Sequence, residues 1–459
     1  MAQQSAPSLI PLDEAPGAIP ISLVAFGAAD LPPSAALNDF SGQAGRLLML
    51  GADEGGPRVL FGLGDGPVKA MALRALPAKL PPGDYRLEPH AGLDDASAAL
   101  AFALGAYAFD RFKSGEPKRR ARLAVSASVL AAATPVANAC ALARDLVNTP
   151  ANAMGPAEIE DAARSLARRH CADVEVTSDE ALETGHPAVH AVGRAAAPHR
   201  APRFIEITWA GPEATDASPR LVIVGKGVAF DTGGLDLKPS AGMRWMKKDM
   251  GGAAHALGLA SLVMDAGLKI RLSVLIPAVE NAVSADAMRP GDVLDTRAGK
   301  TVEVGNTDAE GRLILADALT RAGELEPDLT VDLATLTGAA RVALGPELPP
   351  FYTDDDALAE ALMRAGKAVE DPLWRMPLWA PYDEALNSDV ADLKNDADAW
   401  AQAGSVTAAM FLQRFAPTTG SWVPFEIFSW SSRGRPGWPA GAEAQAIRAI
   451  FDVLKARYA

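Results

Sequence analysis

Cysteine and histidine are scarce in this 459-residue chain: two Cys, Cys140 and Cys171, and six His. Two cysteines exclude a disulfide framework and a Cys-rich zinc site, and a chain this long buries enough core to need no staples. Basic residues are in deficit, 43 Lys+Arg against 57 Asp+Glu for a net charge of −14. That balance argues against an electrostatic grip on nucleic acid or on an anionic membrane surface. Long apolar runs are also few. The charge-free stretch Ala96 to Phe109 falls short of the about 20 residues that a bilayer span requires. The opening MAQQSAPSLIPLDEAPG has no basic segment followed by an apolar one, so no secretory signal is expected, although a chain trimmed after export would read the same. The expectation is a soluble, cytoplasmic protein that engages neither membrane nor nucleic acid.

Motif absences narrow the chemistry. No G-x-S-x-G elbow occurs, which counts against an α/β-hydrolase. His186 and His190 have the i, i+4 spacing of a zincin helix, but the residues between them begin with Pro187 and include no Glu. They read as ordinary surface or loop histidines. Cys140 and Cys171 read as small buried packing residues.

With 49% apolar and 22% charged residues, the chain has the composition of a folded globular protein. Residues 1–135 hold short apolar runs (Ile21–Ala25, Arg46–Leu50, Val59–Phe61, Arg122–Val125) and an Ala-rich stretch, Asp94 to Phe112. This reads as a small N-terminal α/β domain. Residues 136–170 read as a helical connector broken at Pro150 and Pro156. From 171 to 459 the pattern is a βα alternation, with strands at Arg220–Val224, Ile270–Ile276, Lys300–Val304 and Leu329–Ala334 and helices at Gly251–Ala266 and Leu313–Gly323. The fold class expected is α/β in two domains, the larger a catalytic domain with a mainly parallel sheet flanked by helices. Ligands of such sheets sit beyond the carboxyl ends of strands.

Chemistry-bearing residues gather at those ends. Gly225-Lys226-Gly227-Val228-Ala229-Phe230-Asp231-Thr232-Gly233-Gly234 follows one strand, with Lys238 and Asp249 further on; Asn306-Thr307-Asp308-Ala309-Glu310-Gly311-Arg312 follows another; Thr335-Leu336-Thr337-Gly338 a third. In an extended segment Asp308, Glu310 and Arg312 would share one side. Carboxylates without His or Cys suit hard or borderline divalent cations, and four of them offer enough oxygens for two ions. Lys226 could ligate only as a neutral amine, which adjacent divalent charge would favour. Lys238 could face negative charge developing on a substrate oxygen. Blander explanations exist for each motif alone. Asp308 could be a helix N-cap with Glu310 at the positive helix end, Asp231-Thr-Gly-Gly a turn, and Met243, Met246 and Met250 a packed helix face. Their coincidence at successive strand ends weakens those explanations.

Together, Val224-Gly-Lys-Gly-Val-Ala-Phe-Asp-Thr-Gly-Gly, Lys238-Pro-Ser, Met243-x-x-Met-Lys-x-Asp-Met-x-Gly-Ala-Ala, Asn306-Thr-Asp-Ala-Glu-Gly-Arg-Leu, Arg144-Asp-Leu-Val-Asn-Thr-Pro-Ala-Asn and Asp332-Leu-Ala-Thr-Leu-Thr-Gly-Ala resemble the leucyl (cytosol) aminopeptidase family over residues 144 to about 345. The resemblance implies a two-metal aminopeptidase acting on peptides with a free N-terminus, in which a metal-bridging water attacks the first carbonyl. It implies metal ligands at Lys226, Asp231, Asp249, Asp308 and Glu310, with Mn or Zn as the ions. Lys238 would polarise the carbonyl, and Arg312 would hold a bicarbonate acting as general base. Met246, Asn306, Thr335 and Leu336 would line the substrate pocket, and the family assembly would be a homohexamer. A catalytically silent regulator built on the same fold is the alternative. Near the C-terminus the pattern departs from the family: Pro424, Glu426 and Phe428-Ser429 stand where many members have His, Asp and Ala-Gly. Phe428 is expected to narrow or reshape the first side-chain pocket.

Overall fold

A computed structural model of the chain describes residues 8–115, 119–397 and 402–459; the first seven residues of the opening segment lie outside the described residues. The chain divides into two compact units, Met1–Ala141 with Ser431–Gly441, and Leu142–Trp430 with Ala442–Ala459.

The first unit holds strands β1 (Leu9–Pro11), β2 (Ile19–Ala25), β3 (Leu47–Leu50), β4 (Arg58–Gly64), β5 (Gly83–Leu87) and β6 (Ala121–Val125), with helices α1 (Pro33–Leu37) and α2 (Asp95–Ala106). They form one six-stranded sheet in the order β1-β6-β5-β2-β4-β3. All pairs are parallel except the β3–β4 edge.

Helix α3 (Ala127–Asn148) starts well before the helical onset at Val136 read from the sequence, and it carries Pro135 inside it. Proline removes one intrahelical hydrogen bond, which did not prevent the helix from continuing. By length and mean hydropathy α3 could cross a membrane, a possibility that inspection of Ala96–Phe109 missed. A stripe of it is nevertheless buried in the protein, including Ala139, Cys140, Ala143 and Val147. Helix α4 (Pro156–His170) follows with Pro156 at its first position, where proline's missing N–H costs nothing.

The second unit continues with β7 (Asp173–Ser178), α5 (Asp179–Gly185), α6 (Pro187–Gly193), β8 (Arg203–Ala210), β9 (Arg220–Gly225), β10 (Gly227–Asp231), α7 (Ser240–Met243), α8 (Gly251–Asp265) and β11 (Arg271–Asn281). Beyond them lie β12 (Val293–Asp295), β13 (Thr301–Glu303), α9 (Glu310–Glu324), β14 (Leu329–Ala334), α10 (Gly338–Leu344), β15 (Pro350–Phe351), α11 (Asp356–Ala368), β16 (Trp374–Arg375), β17 (Leu393–Lys394), α12 (Gly404–Gln413), β18 (Ser421–Glu426) and α13 (Ile447–Tyr458). The main sheet runs β16-β15-β18-β14-β9-β11-β8-β7, with β10 on the far half of β11. It is parallel from β18 through β14 and β9 to β11, and antiparallel where β8, β7 and β15 join. Val222 and Val224 of β9 enter a core cluster with residues of α6, α9 and α12. Helix α8 also packs on β9 and β14 but contributes nothing to that cluster, so it covers the other face, as strand alternation requires. A continuous apolar run such as Leu221–Val224, fully buried, is what a strand covered on both faces looks like.

Three expectations are corrected here. Strand β13 is outside the main sheet: it pairs with β12 and β17 in a separate three-stranded sheet, being too short and too polar on its flanks to serve as a central strand. His186 is buried and stacked on Phe204 at 3.8 Å, because Pro187 starts α6 instead of breaking a longer helix. Cys171 is exposed, since it caps α4 in the left-handed region (φ 53°).

Candidate active site

The site begins where β9 passes into β10. Both strands pair with β11, β9 through Arg271–Leu275 and β10 from Ala278 onward, and Lys226 occupies the break between them. Its amide donates to Leu333 O (3.0 Å) and its carbonyl accepts from Ala253 N (2.8 Å), so the backbone here is clamped between β14 and α8. The buried side chain reaches the first turn of α9, where a β-carbon on Gly311 would collide with Lys226 Cε. Glycine there admits the lysine. Its Nζ lies 2.7 Å from Asp249 Oδ2 and 2.9 Å from Glu310 Oε1, and donates to Thr335 O at 3.1 Å. Burial by itself would depress this ammonium, but Asp249, Glu310 and Asp231 outweigh it and hold it above its ordinary value.

Asp231 ends β10. Its Oδ1 accepts from Gly233 N (2.8 Å) and Asn281 Nδ2 (2.9 Å), and its Oδ2 lies 2.8 Å from Lys238 Nζ. The tight turn behind it needs φ of +89° at Gly233, a conformation costly to any side chain. Lys238 also pairs with Asp308. Asp308 is not in an extended segment, so the one-sided alternation expected for Asp308, Glu310 and Arg312 does not hold. It sits in a turn whose amide donates to Asn306 Oδ1 (2.8 Å), and α9 begins at Glu310 behind an Ala309 N-cap. The three residues converge because the turn swings Asp308 beside the helix start. Asn395 fixes that turn. Its side chain accepts from Gly305 N (2.9 Å) and donates to Asn306 O (2.8 Å), while its carbonyl accepts from the Arg312 guanidinium (2.6 Å).

Asp231, Asp308 and Glu310 offer carboxylate oxygens all within 4.8 Å of one another. Burial and the neighbouring Asp231 push the Asp308 carboxyl up to about 6 and Glu310 well above its usual range. Asp249 moves the other way, since Lys226 and Lys248 overcome its burial. Glu310 Oε2 is buried without a hydrogen-bond partner. Crowded like charges that the lysines do not satisfy, together with an orphaned carboxylate oxygen, form an all-oxygen donor set that fits a divalent cation.

A cavity of about 370 Å³ opens on this cluster. Lys226, Asp231, Lys238, Met246, Asp249, Asn306, Asp308, Arg312, Thr335 and Leu336 of the expected site all line it; Glu310 is buried and does not. Sequence reading missed several supports. These are Asn281 and Asn395; Asp236, which accepts from Thr307 N (2.8 Å); and Gln445, whose Oε1 accepts from Phe428 N (3.0 Å) and Ser429 N (2.8 Å). Their contacts lie 50 to 90 residues away or, for Gln445, across a changed motif, so no local spacing flags them.

An α/β sheet with a carboxylate–lysine cluster suited to a cation beyond its strand ends is the framework of a metal-dependent enzyme. The catalytic-domain model of the cytosol aminopeptidase family matches residues 141–451, and the M17 aminopeptidase N-terminal domain model matches residues 35–126. The chain belongs to the cytosol aminopeptidase family, whose activity is metal-dependent removal of N-terminal residues from peptides. A "Probable cytosol aminopeptidase" of Chlorobium limicola is 38% identical over 91% of this chain and 91% of its own length. Another, of Syntrophotalea carbinolica, is 42% identical over 77% of this chain and 73% of its own. The crystal structure of the Coxiella burnetii cytosol aminopeptidase superposes with a TM-score of 0.91 at 42% identity, covering 96% of this chain and 98% of that one. A bottromycin maturation enzyme in complex with Mn gives 0.86 at 32% identity, covering 98% and 100%.

Proposed function

We propose that the chain is a dinuclear aminopeptidase in which Asp231, Asp249, Asp308 and Glu310 would hold two divalent ions, Mn or Zn, with Lys226 a fifth ligand once the ions' charge displaces the proton it carries in the ion-free site, and Lys238 and Arg312 carry the chemistry around them. The observation that supports this most is the crowded cluster of Asp231, Asp308 and Glu310, with a buried carboxylate oxygen left unpartnered. When bound, such ions supply a Lewis acid and lower the pKa of a water to near neutrality.

The remaining work falls to the chain. Lys238 lines the cavity with its ammonium held above its ordinary value by Asp231, against its burial. As an ammonium it would face the oxyanion that forms on the first carbonyl, a contribution that elsewhere amounts to about 10²–10³ in kcat. Arg312 is buried, lines the cavity and keeps its Nε without a hydrogen-bond partner. That nitrogen would hold a small anion such as bicarbonate, which would supply a general base there. Asn306 lines the pocket beside Asp308 and orients the peptide, while Met246, Thr335 and Leu336 shape the side-chain side. Residues 1–135 are taken as the N-terminal domain, 136–170 as the connector and 171–459 as the catalytic part. A cytoplasmic location and a homohexamer follow the family pattern. No site residue is degraded, so nothing favours a silent regulator.

The test compares leucine amide with N-acetyl-leucine amide, on metal-stripped protein and after Mn or Zn is restored. Cleavage of the free amine alone, and only with metal, supports the reading. Equal cleavage of the acetylated compound overturns it.

A further inference from the structure

The cavity wall around Phe428, next to Asp249, has a charge pattern of its own. Lys248 is only 6% exposed, yet it lines the cavity. Its ammonium finds one carboxylate, Asp249 Oδ1 at 3.9 Å. That oxygen already accepts from Thr335 Oγ1 at 2.8 Å, and the other oxygen of Asp249 belongs to Lys226 at 2.7 Å. Arg341 reaches the same wall from α10 and makes no ion pair among the described residues. Both cations lie against one ring: Lys248 Nζ is 5.1 Å and Arg341 Cζ 5.0 Å from the centroid of Phe428. Trp245 holds the edge of that ring, at 6.5 Å and 71°. Glu426, a carboxylate that also lines this cavity, is already engaged by Ser405 Oγ at 2.6 Å and by Thr337 N.

A buried cation is expensive unless an anion meets it, and an aromatic face compensates it only in part. The wall therefore carries a buried ammonium, Lys248, whose charge the protein leaves largely unanswered, and beside it on Phe428 an exposed guanidinium, Arg341. On the aminopeptidase reading, on which this argument rests, the substrate's amine and first carbonyl sit at the carboxylate cluster and Lys238. The first side chain is then the substrate group left to point at this wall. We infer that the pocket selects peptides whose first residue is acidic, aspartyl or glutamyl, with Lys248 and Arg341 binding the side-chain carboxylate and Phe428 setting the depth at which it stops. A neutral amide of the same shape would leave both cations unpaired, and a lysyl or arginyl side chain would be repelled.

The experiment measures kcat/KM for glutamyl, glutaminyl, aspartyl, leucyl, alanyl and lysyl anilides with the metal-loaded enzyme. Glutamyl should exceed glutaminyl at least tenfold, chiefly through KM. K248M should remove most of that ratio and K248R should retain it. R341E should raise the lysyl rate relative to the glutamyl rate by tenfold or more, a gain that a merely structural role for Arg341 would not produce. If leucyl or alanyl substrates dominate and these variants leave the glutamyl-to-glutaminyl ratio unchanged, the pocket assignment is wrong while the aminopeptidase reading stands. If no anilide is cleaved with any metal although the protein is folded, the aminopeptidase reading fails, and this inference with it.

Discussion

At the scale of single residues, two lysines share four carboxylates and cannot satisfy them. Lys226 takes Asp249 and Glu310, and Lys238 takes Asp231 and Asp308. One oxygen of Glu310 remains without a hydrogen-bond partner, and Asp308 and Glu310 are both pushed upward. The roles are separable by substitution. K238M should lower kcat by about 10²–10³ with little change in metal binding, as expected for lost oxyanion stabilisation; loss of bound metal in that variant would show that Lys238 organises the ligands instead. A second prediction concerns Ser429, which is buried at φ +60° with its hydroxyl unpartnered. A left-handed non-glycine residue costs roughly 1–2 kcal/mol. S429G should raise the unfolding free energy by about 1 kcal/mol, measured by denaturant titration; a lower stability would mean that the serine side chain packs favourably.

At the scale of elements, the pairing of β14 with β18 places Asp332 opposite Pro424. Proline has no N–H to offer that carboxylate. Here both Asp332 oxygens are buried without hydrogen-bond partners, and burial pushes the carboxyl up to about 8. A carboxyl raised in the folded state binds its proton more tightly there than in the unfolded chain. Its contribution is fully present below the unfolded value near 3.8 and is lost as pH rises through about 8. On the acid side, burial holds His186 down to about 3 and His255 down to about 4. Their contribution is present above 6.5 and is lost as pH falls. D332N should therefore flatten the fall in Tm between pH 5 and 8, and P424H should do the same by supplying a partner. An unchanged slope in D332N would show that Asp332 is not the titrating group. Elements were legible where periodicity was strong: β9, β14 and the helices α8 and α9 fall within a residue or a few of the sequence reading. The membership of β13 in a second sheet was not legible, because sheet assignment is decided by partners far along the chain. The turn at Asp308 reads as extended in the sequence because the side chain that holds its backbone, Asn395, lies 87 residues onward.

At the scale of the whole molecule, the ligand set was legible because the lysine and the carboxylates lie in compact motifs at strand ends. The supports were not, since Asn281, Asn395 and Gln445 reach the site only through the fold. Lys248 and Arg341 carried no signal until Phe428 brought them to one wall. Metal binding should also be visible in global stability, because an ion that binds only the folded chain stabilises it by about 2.7 kcal/mol at a hundred times its dissociation constant. Mn added to metal-stripped protein should raise Tm, and the rise should shrink in D308A. The central claim is that the carboxylate–lysine cluster is the metal site of an aminopeptidase. Its most direct test is a titration of metal-stripped protein with Mn, following bound metal and leucine amide hydrolysis together, in the unaltered chain and in D308A. The account predicts that hydrolysis of leucine amide, or of a glutamyl substrate if leucyl is poor, appears as about two ions bind per chain, and that D308A loses both an ion and at least about 10³ in rate. Full metal binding with no cleavage of any free N-terminal substrate, or unimpaired turnover in D308A, would contradict it.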